Sequence, residues 1–301
     1  MVDHPENTEP SSTNWDSRHE VPIFRVAGIS EIVHPGNHKT RYISPSSIDA
    51  GLDLDFLYEP ESSSTLVVVL HGALGRNKFV LPRFEWRSTL QNVRASKLYL
   101  SDSTVSQSAN LEIGWYFGQQ KDDLVERYSA LVRHIKVIGS YQRVLFVGSS
   151  AGGFAALSMS RKIADSCAVA FSPQTTIAAY HPGHVRKFSD VVFPNFGSFD
   201  RIERDFGMRI NLRRLYDGTE NLNYFRFVQN IGDPFHYEGH YVPFALAQGV
   251  SPEGAGPTPS GRGRFVVARY EKGHAPPPRS YFRRHISEAH EEFFGGKLVI
   301  E

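Results

Sequence analysis

The sequence predicts an α/β fold: a mostly parallel central sheet flanked by helices, with a small cap inserted late in the chain. Two observations carry this. Short, continuous apolar runs rich in β-branched residues recur at 64–70, 96–101, 144–147, 166–171, 222–231 and 264–270, as expected of strands buried on both faces. Between two of these runs, residues 120–138 place Leu124, Tyr128, Leu131, Ile135 and Ile138 at helical spacing, and strand–helix–strand alternation implies a parallel sheet. A chain of 301 residues, 40% of them hydrophobic, can bury a large core and suits one domain with a modest insertion.

Taken in order, residues 1–20 are acidic and polar, with prolines and serines but no apolar core. They predict a disordered tail ahead of a domain over 21–301, and neither a signal peptide nor a membrane span. Residues 21–33 and 51–58 predict early antiparallel strands, with a loop over 37–45 between them. The run Thr65-Leu66-Val67-Val68-Val69-Leu70 is a buried strand and leads into His71-Gly72-Ala73-Leu74-Gly75. A helical region near 79–92 and a strand over 96–101 follow. The helix over 120–138 ends at Gly139 and Ser140. Residues 251–263, rich in Gly, Pro and Ser, read as an exposed loop. Residues 174–221 separate two strands and hold several aromatics with balanced charge. They read as an insertion, mostly helical around 200–216.

The most informative segment is Val144-Leu145-Phe146-Val147-Gly148-Ser149-Ser150-Ala151-Gly152-Gly153-Phe154. It reads as a strand, a tight turn with Ser150 at its apex, and a helix start. Gly148 to Gly152 form G-x-S-x-G in the context that a nucleophile elbow requires. The glycines matter because the serine backbone is strained there and bulkier neighbours would strike strand and helix. Two further residues fall after later strands. Asp233 lies in Gly232-Asp233-Pro234, where a turn leaves the strand at 222–231. His274 follows the strand at 264–270 and precedes the last helix. A serine hydroxyl is a poor nucleophile until an imidazole takes its proton, and a carboxylate holds that imidazole in the right tautomer.

The chain order Ser150, Asp233, His274, with the strand–turn–helix context of Ser150, resembles the α/β-hydrolase superfamily from about residue 20 to the end. No single family within it is singled out. The resemblance implies a catalytic triad in which Ser150 attacks, His274 shuttles the proton and Asp233 orients His274. It also implies an oxyanion hole from the backbone amides of Ala73 and Ala151, with Leu74 as the alternative to Ala73. By the same resemblance the insertion at 174–221 would be the cap, with Tyr180, His181, His184 and Arg186 facing a substrate. Ordinary surface helices and loops are the competing reading of that stretch. His71 would brace its loop by hydrogen bonding instead of acting as a base. The expected activity is cleavage of an ester or related acyl bond through an acyl-enzyme, with no cofactor. The phrase Phe171-Ser172-Pro173-Gln174-Thr175 resembles hydrolase-like proteins associated with surface-polysaccharide synthesis. It brings in a glycan acyl substrate and the alternative of acyl transfer to a sugar or alcohol hydroxyl. A binding protein that kept the fold without catalysis is the third reading.

Composition removes other classes. A formal net charge of +1 gives no basic field for nucleic acid. The single cysteine, Cys167, excludes an intramolecular disulfide framework and zinc held by cysteines, and its place in a strand predicts a buried thiol. The absence of a leader or spanning segment predicts a cytoplasmic location. Trp115 and Tyr116, within Gly114-Trp115-Tyr116-Phe117-Gly118, are candidates for stacking on a substrate ring, against the reading of a packed loop anchor. His236 and His240, four apart, share one helix face, but the sequence names no third ligand and no metal is expected.

Overall fold

β-branched and aromatic residues fill the strands because their stiff side chains pack well on a pleated surface. The computed structural model describes residues 14–217, 221–253 and 255–301. Its elements, in chain order, are β1 (Asn14–Asp16), β2 (Val21–Arg25), β3 (Thr40–Ser44), β4 (Leu54–Glu59), β5 (Thr65–Leu70), α1 (Arg87–Leu90), β6 (Ser96–Leu100), α2 (Leu124–Ile138), β7 (Arg143–Ser149), α3 (Ala151–Ser160), β8 (Cys167–Phe171), α4 (Pro182–Val192), α5 (Phe199–Ile210), α6 (Leu212–Leu215), β9 (Tyr224–Asn230), α7 (Pro234–His236), α8 (Val242–Ala247), β10 (Gly256–Pro257), β11 (Gly263–Ala268) and α9 (Arg279–Phe294). One sheet runs β1-β2-β3-β4-β6-β5-β7-β8-β9-β11-β10. From β6 to β11 every pairing is parallel. The flanks are mixed: β3–β4, β4–β6, β1–β2 and β10–β11 are antiparallel, so "mostly parallel" describes the centre and not the whole sheet.

The strand period of two divides the core. In β5, Leu66, Val68 and Leu70 join Phe146, Phe154 and Tyr128 on one face. Val67 and Val69 join Leu145, Val147, Phe171, Phe282 and Ile286 on the other. Helices α2 and α3 cover the first face, and α9 covers the second. Two covered faces explain why these strands read as continuous apolar runs.

Four expectations are corrected. Residues 37–45 hold β3, which pairs with β2 in parallel and β4 antiparallel. Its buried Tyr42 and Ile43 sit among polar neighbours that mask the strand. The helix expected over 79–92 shrinks to α1, since Pro82 and the aromatics around it belong to an irregular segment. The early strand ends at Arg25 and is followed by a short 3-10 turn at Ile29–Glu31. Of the tail expected over 1–20, residues 1–13 lie outside the described residues. Asn14–Asp16 pair as a strand with β2, which corrects the disorder expected for the end of that tail. No helix among the described residues is long and apolar enough to cross a membrane.

Between β8 and β9 the chain makes α4, α5 and α6, so the expected insertion is helical. It is fixed to the loop after β6. Phe188 of α4 packs edge-on against Trp115 and Phe117. Arg209 of α5 donates to the carbonyls of Phe117 and Gln119 at 2.6 and 2.9 Å, its guanidinium lying 3.8 Å from the Phe117 ring centre.

Candidate active site

Parallel strands present their carboxyl ends to one edge, and ligand sites of open α/β sheets gather there. Ser150 sits at that edge between β7 and α3 with φ 56° and ψ −123°. This is a conformation that L residues avoid and that surrounding packing must hold. The packing is close. A Cβ on Gly148 would lie 2.3 Å from the backbone of Gly152, and one on Gly152 would lie 2.5 Å from the Leu70 carbonyl. Glycine is therefore required at both positions.

The loop after β5 is pinned from several sides. The His71 Nδ1–H donates to the Gly72 carbonyl at 2.7 Å, and His71 Nε2 accepts from the Asp102 amide at 2.9 Å. Both ring nitrogens are thus spent on backbone, the bracing role expected of it, and burial pulls its pKa down. The Gly72 amide is bound by Glu85 at 2.9 Å and the Leu74 amide by the Glu112 carbonyl at 2.6 Å. Leu74 is thereby removed as an oxyanion donor. Among the described residues, no hydrogen bond uses the amides of Ala73 or Ala151. Gly72 lies close to the serine, since a Cβ there would be 3.7 Å from that of Ser150.

Asp233 follows β9 and His274 follows β11, the neighbouring strand. His274 Nδ1 donates to Asp233 Oδ2 at 2.7 Å. The two loops are laced together by Asn230. Its Nδ2 donates to the carbonyls of Glu271 and Gly273, and its Oδ1 accepts from the amides of Gly232 and Tyr270. The Gly273 amide returns a bond to the Gly232 carbonyl at 2.7 Å. At Gly232 a Cβ would meet the Glu271 carbonyl at 1.9 Å, so the loops touch backbone to backbone.

Sequence reading missed His236 and Gln174. His236 Nδ1 lies 2.8 Å from the same Asp233 oxygen, and its ring stacks on that of His274 at 3.8 Å and 9°. Gln174 donates from Nε2 to Ser150 Oγ at 2.9 Å and lies 2.8 Å from His236 Nε2. Ser150 therefore joins Asp233 and His274 through these two residues. Burial opposes ionisation of Asp233, but its hydrogen bonds with His236 and His274 outweigh this and hold its carboxyl well below the usual range. Burial lowers the pKa of His236 against the raising pull of Asp233. The only sequence trace of His236 was its spacing from His240. That residue instead accepts the Thr175 amide at 3.2 Å. One ligand atom each from Asp233, His236 and His274 lie within 4.8 Å of one another, a group that does not include His240. Within it, His274 is hydrogen-bonded to Asp233 and stacked on His236.

Trp115 and Tyr116 require correction. Both are fully buried. Trp115 meets Tyr180 and Phe188 edge-on, and the Tyr116 hydroxyl donates to the Leu100 carbonyl while accepting the His71 amide. Neither offers a ring face to a ligand. The nearby His181 is exposed and stacks on Phe235 at 4.2 Å. Cys167 is buried, and burial drives its thiol well above the ordinary value.

No family model matches the chain, and no curated protein matches it. Its fold is shared with solved hydrolases and acyltransferases. A capsule O-acetyltransferase of Neisseria meningitidis serogroup A in complex with CoA superposes with a TM-score of 0.60 at 12% identity, over 86% of this chain and 98% of that one. An esterase of Pyrococcus furiosus gives 0.52 at 14% identity, over 95% and 97%. An S-formylglutathione hydrolase of Agrobacterium tumefaciens gives 0.53 at 13%, over 87% and 98%. At such identities the likeness is one of fold.

Proposed function

We propose that this protein is a serine-dependent acyl-bond enzyme, in which Ser150 forms an acyl-enzyme that water hydrolyses. The observation that carries it is the junction at one sheet edge of a strained serine and an aspartate–imidazole pair. Ser150 Oγ attacks the substrate carbonyl carbon while its proton passes to His274. Asp233 holds His274 through Nδ1, leaving Nε2 to act as base and favouring the imidazolium that forms. The amides of Ala73 and Ala151 receive the oxyanion. The C–O bond to the leaving group then breaks, and His274 returns the proton to the departing oxygen. In the second half-reaction water attacks the Ser150 ester and gives its proton to His274; the acyl C–Oγ bond breaks, His274 returns the proton to Ser150 Oγ, and the acid leaves as product. The helices of 174–221 act as the cap, with Tyr180 and His181 at the entrance, and no cofactor takes part.

A second reading is favoured by the capsule O-acetyltransferase likeness: a sugar hydroxyl replaces water, and the acyl group passes to a glycan. Hydrolysis of a short p-nitrophenyl ester series by wild type, Ser150→Ala, His274→Ala and Asp233→Asn tests the proposal. Loss of about 10³-fold or more is expected in each variant. Turnover unchanged in folded Ser150→Ala would overturn it. Acyl transfer to added sugars that outpaces hydrolysis would select the second reading.

A further inference from the structure

Gln174 is fully buried, and every hydrogen-bonding position of its carboxamide but one lone pair is taken. Oε1 accepts the indole N–H of Trp115 at 3.1 Å. An indole can only donate, so this contact fixes which end of the amide is oxygen. Nε2 then has two hydrogens. One points at Ser150 Oγ at 2.9 Å and the other at His236 Nε2 at 2.8 Å. Nε2 of His236 is therefore the acceptor, which puts its proton on Nδ1, 2.8 Å from Asp233 Oδ2. Two independent neighbours, an indole and an imidazole, thus aim one carboxamide at the serine oxygen.

We propose that Gln174 is a catalytic hydrogen-bond donor to Ser150 Oγ, with Trp115 and His236 as the positioning residues that aim it. This rests on the reading of Ser150 as nucleophile. The Gln174 N–H occupies a lone pair of Oγ and leaves the serine O–H free to face the base. As that proton moves to His274, negative charge grows on Oγ, and a donor already in place strengthens its bond as the charge develops. In the second half-reaction Oγ leaves the acyl carbon, and the same N–H supports it as the electron pair returns. No proton leaves Gln174 in either direction. The role also explains why a tryptophan is sealed under the insertion beside the site: its indole N–H sets the orientation of the amide. It gives the Phe171-Ser172-Pro173-Gln174 segment a task that its sequence alone did not declare.

The test is the second-order rate of labelling by a fluorophosphonate, with p-nitrophenyl ester turnover, across pH 5 to 9 for wild type, Gln174→Met, Gln174→Glu and Trp115→Phe, each checked for folding by circular dichroism. Gln174→Met keeps length and removes the donor. A fall of about 10- to 100-fold in labelling rate and kcat, with KM little changed, is expected. Gln174→Glu is expected to be worse at high pH and to recover on acidification, when its carboxyl regains one donor hydrogen. A purely structural role would not produce that inverted pH profile. Trp115→Phe leaves Gln174 in place but frees its orientation, and a smaller fall of the same kind is expected. Labelling of Gln174→Met and Trp115→Phe within twofold of wild type, with an unshifted profile, would overturn the role of Gln174 while leaving Ser150 intact. A folded wild type that takes no label would take down the Ser150 reading itself, and this inference with it.

Discussion

The two sides of the site are built by different means. On the Ser150 side, backbone sits against backbone: Gly148 against Gly152, and Gly152 against Leu70, under a helix whose ten residues are all buried. On the Asp233–His274 side, His274 stands about one-third exposed on a loop and is held by side-chain lacing from Asn230 and by the stack with His236. Close packing gives rigidity without hydrogen bonds to spare. Lacing holds an exposed group in place through a few bonds, each of which can be cut singly.

The contrast can be broken most forcefully at Gly152. In Gly152→Val the new side chain has nowhere to go, and a loss of at least about 3 kcal/mol in unfolding free energy is expected. Urea denaturation reads it, and a midpoint near that of wild type would show that the elbow yields more easily than its contacts imply. Asn230→Ala should act differently. It removes four hydrogen bonds to the two loops, so activity is expected to fall by about 10- to 100-fold with a smaller loss of stability. Equal losses of both would erase the distinction between the two sides.

The mildest test is pH. Burial, reinforced by the nearby Arg226 charge, drops His285 to about 4. Burial, reinforced by His236, drops His240 to about 3. In the unfolded chain both take a proton near 6.5. Between 6.5 and these lowered values the unfolded state binds more protons than the folded one. Stability therefore falls on acidification from pH 6.5, by up to about 1.4 kcal/mol per pH unit for each histidine. Asp233, with its folded pKa depressed, adds its own loss only once the pH drops below about 4. Denaturation of wild type and His285→Leu at pH 7, 6 and 5 should show a shallower slope in the variant, and parallel slopes would count against a neutral buried His285.

How much of this was legible in the sequence follows from range. Ser150, Asp233 and His274 were each singled out by a local signal, a turn or a strand end, and the structure brings His274 and Asp233 to 2.7 Å of each other. The central strands were legible for the same reason, since a run buried on both faces needs no partner to reveal it. Gln174, His236 and Asn230 meet partners far away in sequence, and the local marks on two of them, the His236–His240 spacing and the Phe171–Thr175 phrase, pointed to other roles. Trp115 and Tyr116 were misread because Gly-Trp-Tyr-Phe-Gly suits a lip or an anchor equally. The choice was made by Phe188, more than seventy residues later in the chain. The strand β3 was missed because Arg41 in its middle reads as polar, whereas it is clamped between Asp16 and Asp55.

The backbone contact between Gly232 and Glu271 has a consequence for how such a chain can be altered. Because the acid and base loops are fused into a single unit, their mutual spacing does not depend on the helices between β8 and β9. Exposed positions of those helices can be redesigned without touching the Asp233–His274 pair, provided Phe188, Ile202, Ile210 and Leu212, which are buried in the core, are kept. The exposed face of that insertion, beyond the buried Thr175, Thr176 and Ile177, is thus the place to engineer a new entrance.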